Sequence, residues 1–514
     1  MEKQWLWIGG ACAVFCISGI FAKLLIIKEQ SISYFFYIII VWSLIVLGGI
    51  EATIGFLQLF EIIPSRHSLY AFTGTLYNPG PYCGYLAMIF PMALNEYLRL
   101  HTLKVKRIVE TIGCYLSLSV CLAQVCLLFA GSSRAALLAA SISGIWTYCN
   151  FYNKKILDFV HLFHKNRFFK VSGIVLCALL ICIAAFMLKK QSALGRLFMW
   201  KISVLAISES PFAGHGYNSF THAYGEAQEK YFSGNDYLEW EELVAGSPDS
   251  AFNEYLQIAV EYGVVALVFM IVCICFCLYR GYRKKRISAC GGVISLLIFA
   301  MFSYPMHIPA FIITFIFLLV ACAVDDSWKE WGGLALLSGI LSFYTLKNNN
   351  YDECCEWYDC RARYQLGAYE AAKEGYEKLY PVLDKKALFL YEYGHCLHKL
   401  KEYDASNEIL KKAMVYSSDP MILNIIGENY QHKQHYDKAE EYFMRSVHRL
   451  PGRIYPYYLL FQLYAQADYF HADKMKQMAN IVLTKQPKVY SGAIDEMRRE
   501  VKSTLEKHIN YLSN

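Results

Sequence analysis

Apolar residues run in long blocks through roughly the first two-thirds of the chain and then give way to a polar, helical alternation. The blocks fall at about 4–26, 34–60, 81–97, 109–130, 134–151, 170–188, 258–279, 287–304, 308–324 and 330–346. Each approaches the ~20 residues that a helix needs to cross a bilayer. The pattern predicts an all-α fold in two parts: a polytopic transmembrane bundle of about ten spans over 1–346, then a soluble helical domain over 350–514. The first block lacks a small-residue cleavage site and is followed by many more, so it counts as a span rather than a signal peptide.

Charge orients the bundle. Arg99, Lys104, Lys106 and Arg107 share one short loop, Lys154, Lys155, Lys165, Arg167 and Lys170 a second, and Arg280, Arg283, Lys284, Lys285 and Arg286 a third. These loops alternate with loops poor in basic residues, which marks them as cytoplasmic. The long segment at about 189–257 then lies on the far side, where its acids (Glu209, Glu226, Glu229, Asp236, Glu239, Glu241, Glu242, Asp249) are tolerated. The C-terminal domain emerges on that side too if 330–346 spans. In a bacterium this describes a multi-pass inner-membrane protein with a periplasmic loop and a periplasmic tail.

Composition agrees with that division. Charged residues make up 18% of the 514, hydrophobic residues 56%, and mean hydropathy is +0.28; soluble chains carry about a quarter charged residues. The net charge of +6 resides in the short loops, which argues against a nucleic-acid partner. Most of the 18 cysteines lie in apolar runs, as Cys273, Cys275 and Cys277 do, and act there as small hydrophobes. Paired CxxC motifs are lacking, so a zinc site is not expected; no cofactor is expected either.

The tail repeats itself. Tyr369, Tyr403, Tyr436 and Tyr469 recur about every 34 residues, each expected to close a first helix. Ala372, Ser406, Ala439 and Ala472 follow three positions on, then the large residues Tyr376, Leu410 and Phe443. Gly394 and Gly427 lie upstream of their tyrosines, and Pro420 and Pro451 end repeats. This resembles the tetratricopeptide repeat, whose stacked helix pairs form a concave surface suited to a protein partner. Cys354, Cys355 and Cys360 at its entrance are either a local disulfide or free thiols.

Five clusters carry candidate chemistry. Gly74-Thr75-Leu76-Tyr77-Asn78-Pro79-Gly80 precedes the third block on its outer side; its plainer reading is a turn entering a helix. Arg134, after Gly131-Ser132-Ser133, opens the fifth block where outer loops hold few basic residues. An arginine there calls for an anion, and its planar fork suits phosphate; the plainer alternative is a snorkelling anchor. Gly195-Arg196-Leu197-Phe198-Met199-Trp200-Lys201 begins an amphipathic helix that reaches Ser208. In Pro211-Phe212-Ala213-Gly214-His215-Gly216-Tyr217-Asn218-Ser219-Phe220, the glycines beside His215 suggest a turn that brings backbone close to a ligand. Phe252-Asn253-Glu254-Tyr255-Leu256-Gln257 runs through Glu261 to Gly263 and into a span. Asn253, Gln257 and Glu261 then share a helix face, which suggests a polar cavity at a span's mouth rather than a solvated helix start.

In this order the elements GT-x-x-NP, GSSR, GR-x-x-x-W-K, P-x-x-G-x-G-x-N-x-F and FNEYLQ-x-x-x-E-x-G resemble the O-antigen ligase and polymerase superfamily over about 70–325. That superfamily includes lipopolysaccharide O-antigen ligases, polymerases and protein O-oligosaccharyltransferases, often with tetratricopeptide repeats at the C-terminus. The resemblance implies metal-independent glycan transfer from a polyprenyl-pyrophosphate donor to a glycan, lipid A core or protein acceptor outside the inner membrane. It assigns Arg134 and Arg196 to the pyrophosphate, converging on one donor, with Asn253, Gln257 and Asn218 in support. Many relatives carry a histidine where this chain has Phe252, so either the protein is catalytically altered or inactive, or the base comes from elsewhere: Glu254, then His215, then Asp249. A membrane transporter or a scaffold whose repeats recruit envelope partners is the competing class. A transporter would show paired broken helices at the midplane, and the spans carry no such symmetry.

Overall fold

The computed structural model describes residues 31–103, 107–152, 190–234, 236–325 and 351–512. The apolar blocks at 4–26, 170–188 and 330–346, and the basic residues at 104–106 and 154–170, lie outside the described residues. Among the described residues all regular structure is helical. In chain order the helices are α1 (Ile32–Leu59), α2 (Pro79–His101), α3 (Ile108–Ala130), α4 (Arg134–Phe151), α5 (Lys190–Glu209), α6 (Phe220–Ser233) and α7 (Glu239–Val244). Then come α8 (Glu254–Arg283), α9 (Ile287–Ala300), α10 (Pro309–Ala323), α11 (Tyr351–Gln365), α12 (Tyr369–Leu383) and α13 (Ala387–Lys399). The tail continues with α14 (Tyr403–Met414), α15 (Pro420–His432), α16 (Tyr436–Arg449), α17 (Tyr455–Tyr464), α18 (Ala472–Thr484) and α19 (Gly492–Leu512). They fall into two compact units, and α8 contributes residues to both.

The first unit holds α1–α4, residues 252–255, α8 from 266 onward, α9 and α10. The predicted blocks at 34–60, 81–97, 109–130, 134–151, 287–304 and 308–324 all fall on its helices. Of these, α1 and α3 are long and apolar enough to cross a membrane, as is α8; α9 and α10 are apolar but shorter. Trp42, Tyr82, Met88, Leu127, Val293 and Phe311 fill the core. Ile112, Tyr115, Leu122 and Phe129 on α3, and Phe269, Val272 and Phe276 on α8, face outward. An apolar exterior of that kind suits lipid rather than water.

Polar contacts show that successive helices alternate in direction. At one end the buried Arg286 donates to the carbonyls of Ala321 and Val324 and to Ser33, so the end of α10 meets the starts of α9 and α1. A cation against the final carbonyls of a helix satisfies groups that the helix leaves unpaired. Arg280 and Lys284 pair with Asp325 at the same end, and Asn95 near the end of α2 donates to Ser288. Among the described residues, this end gathers Arg280, Lys284 and Arg286, with Arg99 near the end of α2. The other end carries the turns before α2 and α4, residues 252–255 and a 3-10 turn, Pro305–His307.

The second unit joins 190–251 and 256–265 to the tail. In the tail, α12 packs on α11, α14 on α13, α16 on α15 and α18 on α17. The tyrosines open second helices here; they do not close first ones, because Gly367, Lys401 and Gln434 each take a left-handed conformation two residues earlier (φ 77, 65 and 59°) and end the first helix. Tyr469 instead sits in a 3-10 turn before α18. Ala372, Ser406 and Ala439 are fully buried. Leu410 packs where Gly394 has no side chain, and Phe443 does the same at Gly427. Cys354, Cys355 and Cys360 are free thiols.

Segment 190–251 shares a core with this tail. Phe198, Ile202, Phe220, Tyr224 and Phe232 cluster with Leu450. His222 meets the Met414 carbonyl at 3.1 Å and Gln228 donates to the Arg449 carbonyl. Arg449, 1% exposed, lies between Glu226 (2.7 Å) and Glu229 (2.5 Å), and Arg445 reaches both carboxylates from outside.

Candidate functional site

The Gly74–Gly80 element is strapped to α1. The Gln58 amide oxygen accepts from the N–H groups of Thr73 and Gly74, and its nitrogen donates to the Gly74 carbonyl. Glu51 accepts from the Thr75 backbone and hydroxyl. Asn78 caps α2 through the Gly80 N–H at 2.8 Å, with Pro79 in the first turn, as helix starts favour. The element is therefore the turn that the plainer reading expected, fixed in place by two α1 side chains.

Arg134 is the first residue of α4, after Ser132 in a left-handed conformation (φ 49°). A helix start already carries partial positive charge, so a guanidinium there is best placed when an anion sits between the two. Arg134 belongs to the first unit and Arg196, half-buried on α5, to the second.

The last element divides at its middle. Phe252 is left-handed (φ 49°), a strained conformation for an aromatic residue. That bend lets Asn253 cap α8 by accepting from the Tyr255 N–H at 3.0 Å. Asn253 therefore precedes the helix and does not share a face with Gln257 and Glu261. Those two do face each other: the Gln257 amide donates to Glu261 at 3.3 Å and its oxygen accepts from the Ala251 N–H.

Glu254 is 5% exposed and accepts from the Met306 N–H at 2.7 Å. The same oxygen, Oε1, lies 3.7 Å from Nδ1 of His307. The Phe252 ring meets Tyr304 edge-on at 5.2 Å, and Tyr304 lies 6.2 Å from His307. Sequence reasoning passed over His307. Its only signal was a histidine between two prolines, Pro305 and Pro309.

In the second unit, the loop around His215 is paired with the start of α8. His215 N–H donates to the Val260 carbonyl, Gly216 N–H to Glu261, and Val264 N–H to Pro211. Gly214 (φ 69°) and Gly263 (φ 82°) are left-handed, and a Cβ at either would strike the backbone of the other segment. The glycines thus admit another stretch of this chain where a ligand was expected. Nε2 of His215 is 2.9 Å from the Ala206 carbonyl. Asp249 and Asn218 are exposed. Lys201 has a structural role: it reaches Glu241 and the Tyr231 hydroxyl, each at 2.6 Å, and ties α5 to α6 and α7. Burial pushes the Glu241 carboxyl up, but Lys201, the Leu238 N–H and Tyr231 outweigh it and hold Glu241 below the usual carboxylate range.

Residues 119–271 match the family model described as O-antigen ligase. This stretch is an O-antigen ligase domain. No curated protein matches the chain. Four of the five elements lie inside the O-antigen ligase domain, from Gly131 to Gly263; Gly74–Gly80 and His307 lie outside it. For this stretch the match implies a glycosyltransferase-like enzyme of the membrane, with a glycan or lipid donor and an acceptor.

Proposed function

We propose that the chain transfers or polymerises glycans from a polyprenyl-pyrophosphate donor onto a lipid, glycan or protein hydroxyl, at the outer face of a bacterial inner membrane. The O-antigen ligase match over 119–271 carries this reading, because it encloses both candidate arginines. Arg134 and Arg196 grip the pyrophosphate and stabilise it as it departs, and no metal is needed for that charge. Asn253 shapes the site by holding the bend at Phe252; Gln257 and Asn218 support it. The helix pairs of the tail are tetratricopeptide-type repeats, and their first partner is the outer segment of the same chain, through Arg445 and Arg449.

Deleting the gene and analysing surface glycans tests the reading. Loss of long chains from lipid A core marks a ligase, single repeat units in place of a ladder mark a polymerase, and unglycosylated envelope proteins mark a protein glycosyltransferase. An unchanged glycan profile sinks all three.

The orientation has its own test. Alkaline phosphatase fused after Asn514 should be active, since the repeats fold with the outer segment. Fluorescence from a reporter that matures only in the cytoplasm would refute it.

A further inference from the structure

We infer that Tyr77, His67 and Tyr70, with Tyr304 beside them, form an aromatic platform that binds the sugars of the donor glycan; the platform rests on the glycan-transfer reading above.

The loop between α1 and α2 carries the first three rings. The His67 ring lies 4.7 Å from that of Tyr70 and 5.0 Å from that of Tyr77, so it joins the two tyrosines into one group. Tyr77 is 69% exposed and Tyr70 41%, so the group presents ring surface outward instead of filling the core. The rings are nonetheless held. Tyr77 belongs to the Gly74–Gly80 turn, which Glu51 and Gln58 strap to α1 and the Asn78 cap fastens to α2. Nδ1 of His67 accepts from the Leu69 N–H at 3.1 Å, which orients the ring and puts its proton on Nε2.

Position separates this group from tyrosines that anchor single helices at a membrane interface. On one side the loop reaches the start of α4: a Cβ placed on Gly131 would stand 3.4 Å from the Phe72 ring, and Gly131 precedes Arg134 by three residues. On the other it reaches the turn before α10. Burial raises the pKa of the half-buried Tyr304 hydroxyl and nearby Tyr70 adds to the rise, so the two phenols are neighbours. Tyr304 in turn meets Phe252 edge-on at 5.2 Å. The rings therefore lie between two of the five elements, GSSR and FNEYLQ-x-x-x-E-x-G, at the same end of the first unit.

A pyranose offers a flat apolar face of C–H groups edged with hydroxyls. A tyrosine ring offers a flat apolar face with a hydroxyl on its edge, and the His67 ring one with an N–H. The faces stack and the edges exchange hydrogen bonds. A lipid tail on the same rings would leave those polar edges unpaired. The donor glycan is the occupant because a pyrophosphate gripped by Arg134 carries its first sugar directly, and that sugar then lies at the helix start that this loop adjoins. No bond forms or breaks on the platform; it binds the donor and aligns it. The rigid Gly74–Gly80 turn thereby gains a task, which is to aim Tyr77.

The test uses the full-length protein added to donor-depleted envelopes of the deletion strain, which supply acceptor, with glycan transfer followed against added donor lipid. Tyr77→Leu and Tyr70→Leu keep apolar bulk and lose the flat face. Each should raise the donor concentration for half-maximal rate by about tenfold. Tyr77→Phe and Tyr70→Phe keep the face and should recover most of that loss. Free glycan, cut from the donor with mild acid, should compete with donor in the wild type and about tenfold less well in Tyr77→Leu. A wild-type donor requirement in both Leu variants, or no competition by free glycan, would overturn the platform while leaving glycan transfer standing. A rise confined to the acceptor requirement would overturn the donor as its occupant. Should Tyr70→Leu not be recovered folded, Tyr77→Leu at the more exposed position decides alone. No transfer by the wild type would reject the glycan-transfer reading itself, and the platform with it.

Discussion

Arg134→Ala is expected to cut glycan transfer by about 10²–10³-fold, the loss typical of removing one preorganised group that meets developing charge. Arg134 heads α4, where the backbone N–H groups and the helix dipole already favour an anion. Its guanidinium adds a planar fork that can hold two phosphate oxygens together. Arg134→Lys keeps the charge and loses the fork, so it should recover only part of the activity. The measurement is transfer rate against donor concentration in the envelope assay. A fall in turnover at saturating donor places the contact in the transition state, whereas a change confined to the apparent donor affinity makes Arg134 a simple anchor. Unimpaired transfer by Arg134→Ala would remove it from the site.

Arg449→Met should destabilise the second unit by about 3–5 kcal/mol, the cost of removing one partner from a buried ion pair. Arg449 is 1% exposed and holds Glu226 and Glu229, which approach each other across its guanidinium. Arg445 remains, but at 26% exposure it compensates only in part. For a unit of this size, about 2–4 °C per kcal/mol implies an unfolding midpoint lower by about 6–20 °C. The control is Arg449→Met combined with Glu226→Gln and Glu229→Gln. It removes the stranded charges and should be more stable than Arg449→Met alone. Thermal unfolding of the full-length protein, and protease sensitivity of 190–251, report both. An unshifted midpoint in Arg449→Met would mean that the packing around Phe198, Tyr224 and Leu450 holds segment 190–251 without these charges.

The helices were legible because their signals are local. Apolar blocks of the right length, Asn78 before Pro79, and Gly131-Ser132-Ser133 before Arg134 each declare a helix or its start within a few residues. The tail was legible for the same reason, as small residues recur at a fixed period. The one misplacement there, tyrosines set at the ends of first helices, came from reading period without backbone conformation. Lys401 and Gln434 give no compositional hint that they adopt the left-handed turn that glycine serves at 367. The glycines beside His215 misled differently. Their need for space was readable, but what fills it is a segment some 45 residues onward, as the bond from Gly216 to Glu261 shows.

By itself the sequence determined the all-α class, the division between apolar blocks and a repeating polar tail, the order of the five elements and so the O-antigen ligase domain. These depend on period, composition and spacing, which the chain carries linearly. Tertiary structure alone decided which side chains meet. It set Glu254 behind His307, turned Asn253 from cavity wall to helix cap, gave Lys201 to Glu241, and closed Glu226 and Glu229 around Arg449 from 223 and 220 residues away. The physical reason is that a buried charge is stable only beside a partner. Which partner arrives depends on how whole helices stack, a property of the assembled core that no short window of sequence contains.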